Sequence, residues 1–182
     1  AVRSNYPIVF ILHNNANYGL TTGQASSLTI QDQPMNTSPN GIPEHTLASM
    51  DFIFSLEPTF VARGFSGNIP EMTQIMSRAL DHNGFAFVDI LQACPTYNKF
   101  ATHEMLLEKC YNAETTAGHD PSDRAKARAL AVNTQEKIAT GVLYEEKSPS
   151  FIDHLIPRQG KTTTLVEEVA IMDVSKYVKA FT

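Results

Sequence analysis

Residues 59–91, TFVARGFSGNIPEMTQIMSRALDHNGFAFVDIL, decide the fold class. Thr59-Phe60-Val61-Ala62-Arg63 is rich in β-branched and aromatic side chains and predicts a strand. In residues 69–80 apolar side chains recur at Ile69, Met72, Ile75, Met76, Ala79 and Leu80, a helical stripe with Pro70 and Glu71 suited to its first turn. Asn83-Gly84 ends that helix, and residues 85–91 predict a second buried strand. The order strand, helix, strand implies an α/β fold with a mostly parallel sheet, right-handed crossovers and flanking helices.

Upstream, Ile8-Val9-Phe10-Ile11-Leu12 is a continuous apolar run, which predicts a strand buried on both faces and ending in His13-Asn14-Asn15. From there to Pro43 the composition is that of loops, with Gly19, Gly23 and Gly41 as turn points. A segment that long without a periodic element points to a functional loop system or a lid. Residues 43–50 predict a short helix with Leu47 and Met50 on one side, followed by an apolar piece at 52–56.

Downstream, residues 92–98 form a loop at a strand's carboxyl end, where open α/β sheets place their ligands. Beyond it we expect a short helix within 99–111, a turn at 118–121 and a helix over 121–140. A short strand at 141–144, an irregular stretch at 149–160 and an amphipathic or strand-forming piece at 163–182 complete the chain. The expected division is 1–98 and 99–182.

The 182 residues are one domain's worth of chain, enough to bury a core without disulfides. Hydrophobic residues at 42% and charged residues at 18% exclude collagen-like, coiled-coil and wholly disordered classes. A net charge of -5 argues against nucleic acid as a partner. No apolar run is long enough to span a bilayer and no leader is recognisable, so a cytoplasmic protein without membrane contact is expected.

Asn14, Asn15 and Asn17 offer neutral oxygens of the kind that Mg²⁺ accepts beside phosphate and carboxylate oxygens. Asn is equally suited to turns, through left-handed backbone and Asx-turns, and the residues alone leave both readings open. The two cysteines, Cys94 and Cys110, are too far apart for a CxxC motif, and a lone Cys is commonly an inert buried thiol. His82 at a helix end suits a structural cap as well as catalysis. His45, His103, His119 and His154 lack ligand spacing, and no Ser-His-Asp arrangement is legible.

Residues 13–26, HNNANYGLTTGQAS, resemble the signature NNxxYGLTxGQxSPT of the β subunit of 2-oxoacid:ferredoxin oxidoreductases, in its thiamine diphosphate-binding region. Residues 59–64 and 79–98, the latter ALDHNGFAFVDILQACPTYN, are similar to that family's TFVAR…AxxHxGFxxVdiLQpCxTyN. The resemblance covers nearly all of the chain. It implies the thiamine diphosphate-binding fold with a C-terminal extension, and oxidative decarboxylation of a 2-oxoacid such as pyruvate to its acyl-CoA. Electrons would pass through a [4Fe-4S] cluster to ferredoxin.

Position by position, the resemblance implies Mg²⁺ ligation by the Asn15 side chain and by the backbone carbonyl of Asn17. Tyr18, Gly19, Leu20 and Thr21 would line the diphosphate, with Gln24 near the cofactor. Cys94 matches a ligand of the [4Fe-4S] cluster, where thiolates hold the irons. Cys110 matches no such position and reads as structural, and the resemblance assigns no catalytic side chain here.

The chain also departs from the family. The GDG motif that supplies the Asp ligand of Mg²⁺, and the other cluster cysteines, do not occur, so the sequence resembles the C-terminal part of a β subunit with the opening of the domain missing. Thr22 stands where many members carry Lys, and Ser27-Leu28-Thr29 replaces the usual Pro-Thr continuation. The implied partners are α and further γ or δ subunits, an N-terminal β-subunit piece if the gene is split, and ferredoxin. The competing readings are a non-catalytic assembly module and a non-redox thiamine diphosphate-dependent decarboxylase, which would keep Asn15 without requiring Cys94.

Overall fold

The computed structural model describes residues 1–116, 118–155 and 160–180. Its first elements are β1 (Val9–Asn14), a two-residue hairpin of β2 (Asn17–Tyr18) and β3 (Gln24–Ala25), and α1 (Ser49–Ser55). The strand, helix and strand read from residues 59–91 follow as β4 (Phe60–Phe65), α2 (Ile69–Asp81) and β5 (Ala86–Leu91). Then come α3 (His103–Lys109), β6 (Cys110–Asn112), a 3-10 turn at Ala113–Thr115, α4 (Arg124–Val132) and β7 (Ile138–Glu145). Two short helices close the described chain, α5 (Leu165–Ile171) and α6 (Ser175–Val178).

Five strands form one sheet in the order β1-β5-β4-β7-β6. β1, β5 and β4 are parallel, whereas β7 runs antiparallel to β4 and parallel to β6. Alternation along the strands builds two helical layers. Phe60 and Ala62 of β4 and Ala86, Val88 and Ile90 of β5 pack with Ile75 and Ala79 of α2. On the other face Val61 and Phe87 pack with Met50, Ile53 and Phe54 of α1 and Ala127 and Ala131 of α4.

Several boundaries differ from expectation for identifiable reasons. Residues 43–50 do not form a helix; α1 starts at Ser49 and absorbs the apolar piece, because Met50, Ile53 and Phe54 fall on one buried face. The long helix expected over 121–140 is only Arg124–Val132, capped by Asp123, whose side chain accepts from Lys126 N. The chain then turns into β7, an eight-residue strand where four residues were expected. Residues 163–180 are helical in part and form no strand, with Thr164 and Glu167 making a reciprocal capping box at α5. In the irregular stretch, residues 156–159 lie outside the described residues, as do 181–182 at the end.

β1 is the principal correction. Among the described residues it lies at the sheet edge and pairs with β5 alone, leaving Phe10 51% and Ile11 36% exposed rather than buried on both faces. No helix among the described residues is long and apolar enough to cross a membrane.

His82 follows α2 at the end of the sheet where β5 begins. Its Nε2 lies 2.8 Å from Thr59 Oγ1, and its ring tilts against Phe60. Burial holds the imidazole below its ordinary range, with the nearby Glu145 carboxylate opposing. The unfolded chain therefore binds the proton more readily, so this contribution is fully present above the unfolded value near 6.5 and is lost as pH falls through it toward the lower folded value. Thermal scans from pH 7.5 to 5.5 should show a fall in midpoint that His82→Asn makes shallower; identical slopes would contradict this role.

Candidate functional site

The long loop after β1 and the loop after β5 meet at the carboxyl ends of the parallel strands, where such sheets bind ligands. At the end of β1 the chain reverses through Ala16, whose φ is +54°. Asn15 Oδ1 accepts from Asn17 N at 3.2 Å, an Asx-turn, so the turn reading of the Asn cluster is realised. That oxygen keeps a second lone pair, so the turn does not use up its capacity as an acceptor. The turn is stitched from below: Thr29 Oγ1 donates to Ala16 O at 2.6 Å and accepts from Ser26 N at 2.9 Å, and Thr29 is 2% exposed.

β2 and β3 then carry a tight reversal through residues 19–23, with Gly23 N donating to Tyr18 O at 3.1 Å. Gly23 has φ +83°, and a Cβ there would meet the Tyr97 ring at 2.6 Å. Only glycine suits both the backbone and the space. Tyr18 is 56% exposed and Leu20 fully exposed, so these members of the signature stand out from the surface, with Thr21 and Gln24 exposed beside them.

The loop after β5 locks onto this turn. Asn98 Nδ2 donates to Asn15 O at 3.0 Å, while its Oδ1 accepts from Phe100 N at 3.0 Å and Ala101 N at 3.1 Å. Gln92 N donates to Asn14 O at 2.8 Å. Asn98 is 3% exposed and is a positional residue to which the sequence alone assigns no role, although it closes the quoted motif.

Cys94 lies inside this junction, buried, and a Cβ on Gly19 would stand 3.9 Å from its sulfur. Burial alone would push the thiol up, but the backbone N–H groups of Tyr97, Asn98 and Thr96, with the Asn17 carboxamide, outweigh it and hold the thiol below its ordinary range. Asn17 Nδ2 faces Cys94 Sγ at 3.6 Å in one orientation of the amide. Rotated, the amide donates to Asn15 O at 2.9 Å and accepts from Gly19 N at 3.3 Å. We assign the rotated form to the neutral thiol, because it satisfies both amide atoms; the other suits a thiolate that needs a donor. Cys110 is the opposite case: burial pushes its thiol up to about 11, the Arg63 guanidinium opposing and Glu71 adding.

The structure thus brings Asn15, Asn17, Gly19 and Cys94 together and leaves Tyr18, Leu20, Thr21 and Gln24 on the open side of the hairpin. Among the described residues no three His, Cys, Asp or Glu side chains converge on a metal position. A larger cleft of about 610 Å³, lined by residues including His82, Asn83, Glu145 and Asp153, lies at the opposite end of the sheet.

Residues 1–90 match the family model "Thiamine pyrophosphate enzyme, C-terminal TPP binding domain", and residues 94–159 match the family model for the C-terminal region of the pyruvate ferredoxin oxidoreductase β subunit. The β subunit of a 2-oxoacid:ferredoxin oxidoreductase from Saccharolobus solfataricus is 29% identical over 195 residues, covering 93% of this chain and 64% of that protein. Subunit β of 2-oxoacid:ferredoxin oxidoreductase 2 from Aeropyrum pernix is 32% identical over 160 residues, covering 78% of this chain and 49% of that protein. Among solved structures, the 2-oxoglutarate:ferredoxin oxidoreductase from Magnetococcus marinus, with 2-oxoglutarate, coenzyme A and succinyl-CoA bound, superposes with a TM-score of 0.80 at 28% identity. That superposition covers 100% of this chain and 60% of the other. The chain spans less than two thirds of the length of these relatives. The two adjoining family models, the shared sheet and the relatives agree on one assignment: the chain belongs to the β-subunit family of the 2-oxoacid:ferredoxin oxidoreductases.

Proposed function

We propose that this chain supplies the metal-facing loop of a thiamine diphosphate site and one thiolate of a [4Fe-4S] cluster in a heteromeric 2-oxoacid:ferredoxin oxidoreductase. The observation that carries this reading is the fusion of two loops at the carboxyl ends of β1 and β5: Asn98 holds the Asn15 carbonyl, and the buried Cys94 lies against Asn17. The donor chemistry fits both groups. Asn15 Oδ1 is a neutral oxygen with a lone pair to spare, and Cys94 already sits among N–H donors that favour a thiolate.

When bound, thiamine diphosphate supplies the nucleophilic carbon for decarboxylation of a 2-oxoacid and the cluster a one-electron path to ferredoxin, with coenzyme A as acyl acceptor. Asn15 and the Asn17 carbonyl would hold Mg²⁺. The hairpin residues Tyr18, Gly19, Leu20 and Thr21, with Gln24, would flank the diphosphate. The Asp of the GDG pattern and the remaining thiolates would come from the rest of a β subunit or from a separate N-terminal chain, and the exposed Leu20 and Tyr18 would be covered by an α subunit.

Assembled complex purified from its source through this chain should reduce ferredoxin only when a 2-oxoacid and coenzyme A are both present. Pyruvate and 2-oxoglutarate assayed side by side assign the substrate. Acyl-CoA formation without ferredoxin reduction, or no turnover of any 2-oxoacid, would overturn the proposal.

A further inference from the structure

Arg63 of β4 and Asp89 of β5 are register partners on the sheet face that packs against α1 and α4. They are 4% and 0% exposed. Arg63 Nε donates to Asp89 Oδ2 at 3.1 Å, and Arg63 Nη1 donates to the Ala131 carbonyl of α4 at 3.0 Å. The other carboxylate oxygen, Oδ1, accepts from Asn14 Nδ2 at 3.2 Å. One polar rung therefore runs from α4 across β4 and β5 to the last residue of β1, and the next residue along the chain is Asn15.

Stability alone gives no reason for this rung. Desolvating two ions costs about as much as their attraction returns, and a well-packed apolar pair commonly holds a core equally well or better. What an apolar pair does not do is accept the Asn14 N–H. A cleft of about 250 Å³ adjoins Asn14, Arg63 and Ala131, so packing does not pin the Asn14 side chain on that side. The carboxylate does, and the guanidinium fixes the carboxylate.

We infer that Arg63 and Asp89 are positioning residues: through Asn14 they set where β1 ends and hence the orientation of the Asn15–Asn17 turn. The consequence for cofactor binding rests on the proposed function above, whereas the geometric link does not. The test uses the assembled complex freed of thiamine diphosphate, and compares wild type with N14A, with R63M/D89L and with the triple variant. Two quantities are read: amide hydrogen exchange at residues 15–18, and Mg²⁺-dependent thiamine diphosphate affinity.

N14A and R63M/D89L should each speed exchange at residues 15–18 by about tenfold and weaken thiamine diphosphate affinity by about 10- to 100-fold, the range usual for residues that orient a metal ligand. R63M/D89L should keep its thermal midpoint within a few degrees. The triple variant should be no worse than the more affected of the other two, because both changes cut the same link. Effects that multiply in the triple variant, or wild-type exchange in N14A, would overturn the inference. If R63M/D89L does not assemble, N14A alone decides by the same exchange readout. Should no preparation bind thiamine diphosphate while exchange responds as expected, the positioning role stands and the cofactor assignment falls.

Discussion

Asn15→Ala should weaken Mg²⁺-dependent thiamine diphosphate binding of the assembled complex by about 100-fold or more, beyond the effect usual for a residue that merely orients a ligand. The substitution removes the Asn15 side-chain oxygen, proposed above as a ligand of the cation. It also removes the Asx-turn acceptor of Asn17 N. The turn should survive that loss, because the Thr29 hydroxyl still holds Ala16 and Asn98 still holds the Asn15 carbonyl. A hydrogen bond of this kind is worth about 0.5–1.5 kcal/mol, so assembly should persist. Titration of thiamine diphosphate at fixed Mg²⁺, with a parallel thermal scan, separates the two effects. An unaltered titration would remove Asn15 from the metal site.

Cys94→Ala should bring 2-oxoacid-dependent ferredoxin reduction down to background and remove the low-temperature paramagnetic signal of the reduced [4Fe-4S] cluster. Thiamine diphosphate affinity should stay near the wild-type value. A buried thiol replaced by a methyl group costs little packing, whereas a cluster deprived of one of four thiolates has no equivalent donor at hand, since the thiol of Cys110 is held protonated at ordinary pH. This outcome also divides the redox reading from a thiamine diphosphate-dependent decarboxylase that needs no cluster. Electron transfer unchanged in Cys94→Ala would rule out the ligand role.

The parallel core was legible because β4, α2 and β5 each carry an unambiguous pattern, ended by Asn83-Gly84 and opened by Asn68, whose side chain accepts from Glu71 N. β7 was half hidden, since Ile138, Ala139 and Thr140 follow an alanine-rich helical run that nothing apolar and periodic closes. β6, only Cys110-Tyr111-Asn112, is too short to announce itself and depends on pairing with β7. A continuous apolar run reads alike for a central and an edge strand, and this chain spans less than two thirds of the length of its relatives, so the run alone does not give the place of β1 in the sheet.

The site divides in the same way. Family resemblance pointed to Asn15, Asn17 and Cys94, and the structure brings them into one junction. The buried pair of Arg63 and Asp89 had a signal that went unread: each is the lone charge in an otherwise apolar strand, at the fourth position of both Phe60–Phe65 and Ala86–Leu91, which in-register parallel pairing sets side by side. Thr29 and Asn98 make local turn contacts that many polar residues could make, and the bonds that tie them to the Asn turn reach 13 and 83 residues along the chain, beyond any local pattern.

The most direct measurement is the cofactor content of the native complex isolated through this chain. The account predicts thiamine diphosphate, magnesium and iron together, with at least four irons for each copy of the chain. A stable complex containing this chain but neither thiamine diphosphate nor iron would contradict it and leave an assembly module in its place.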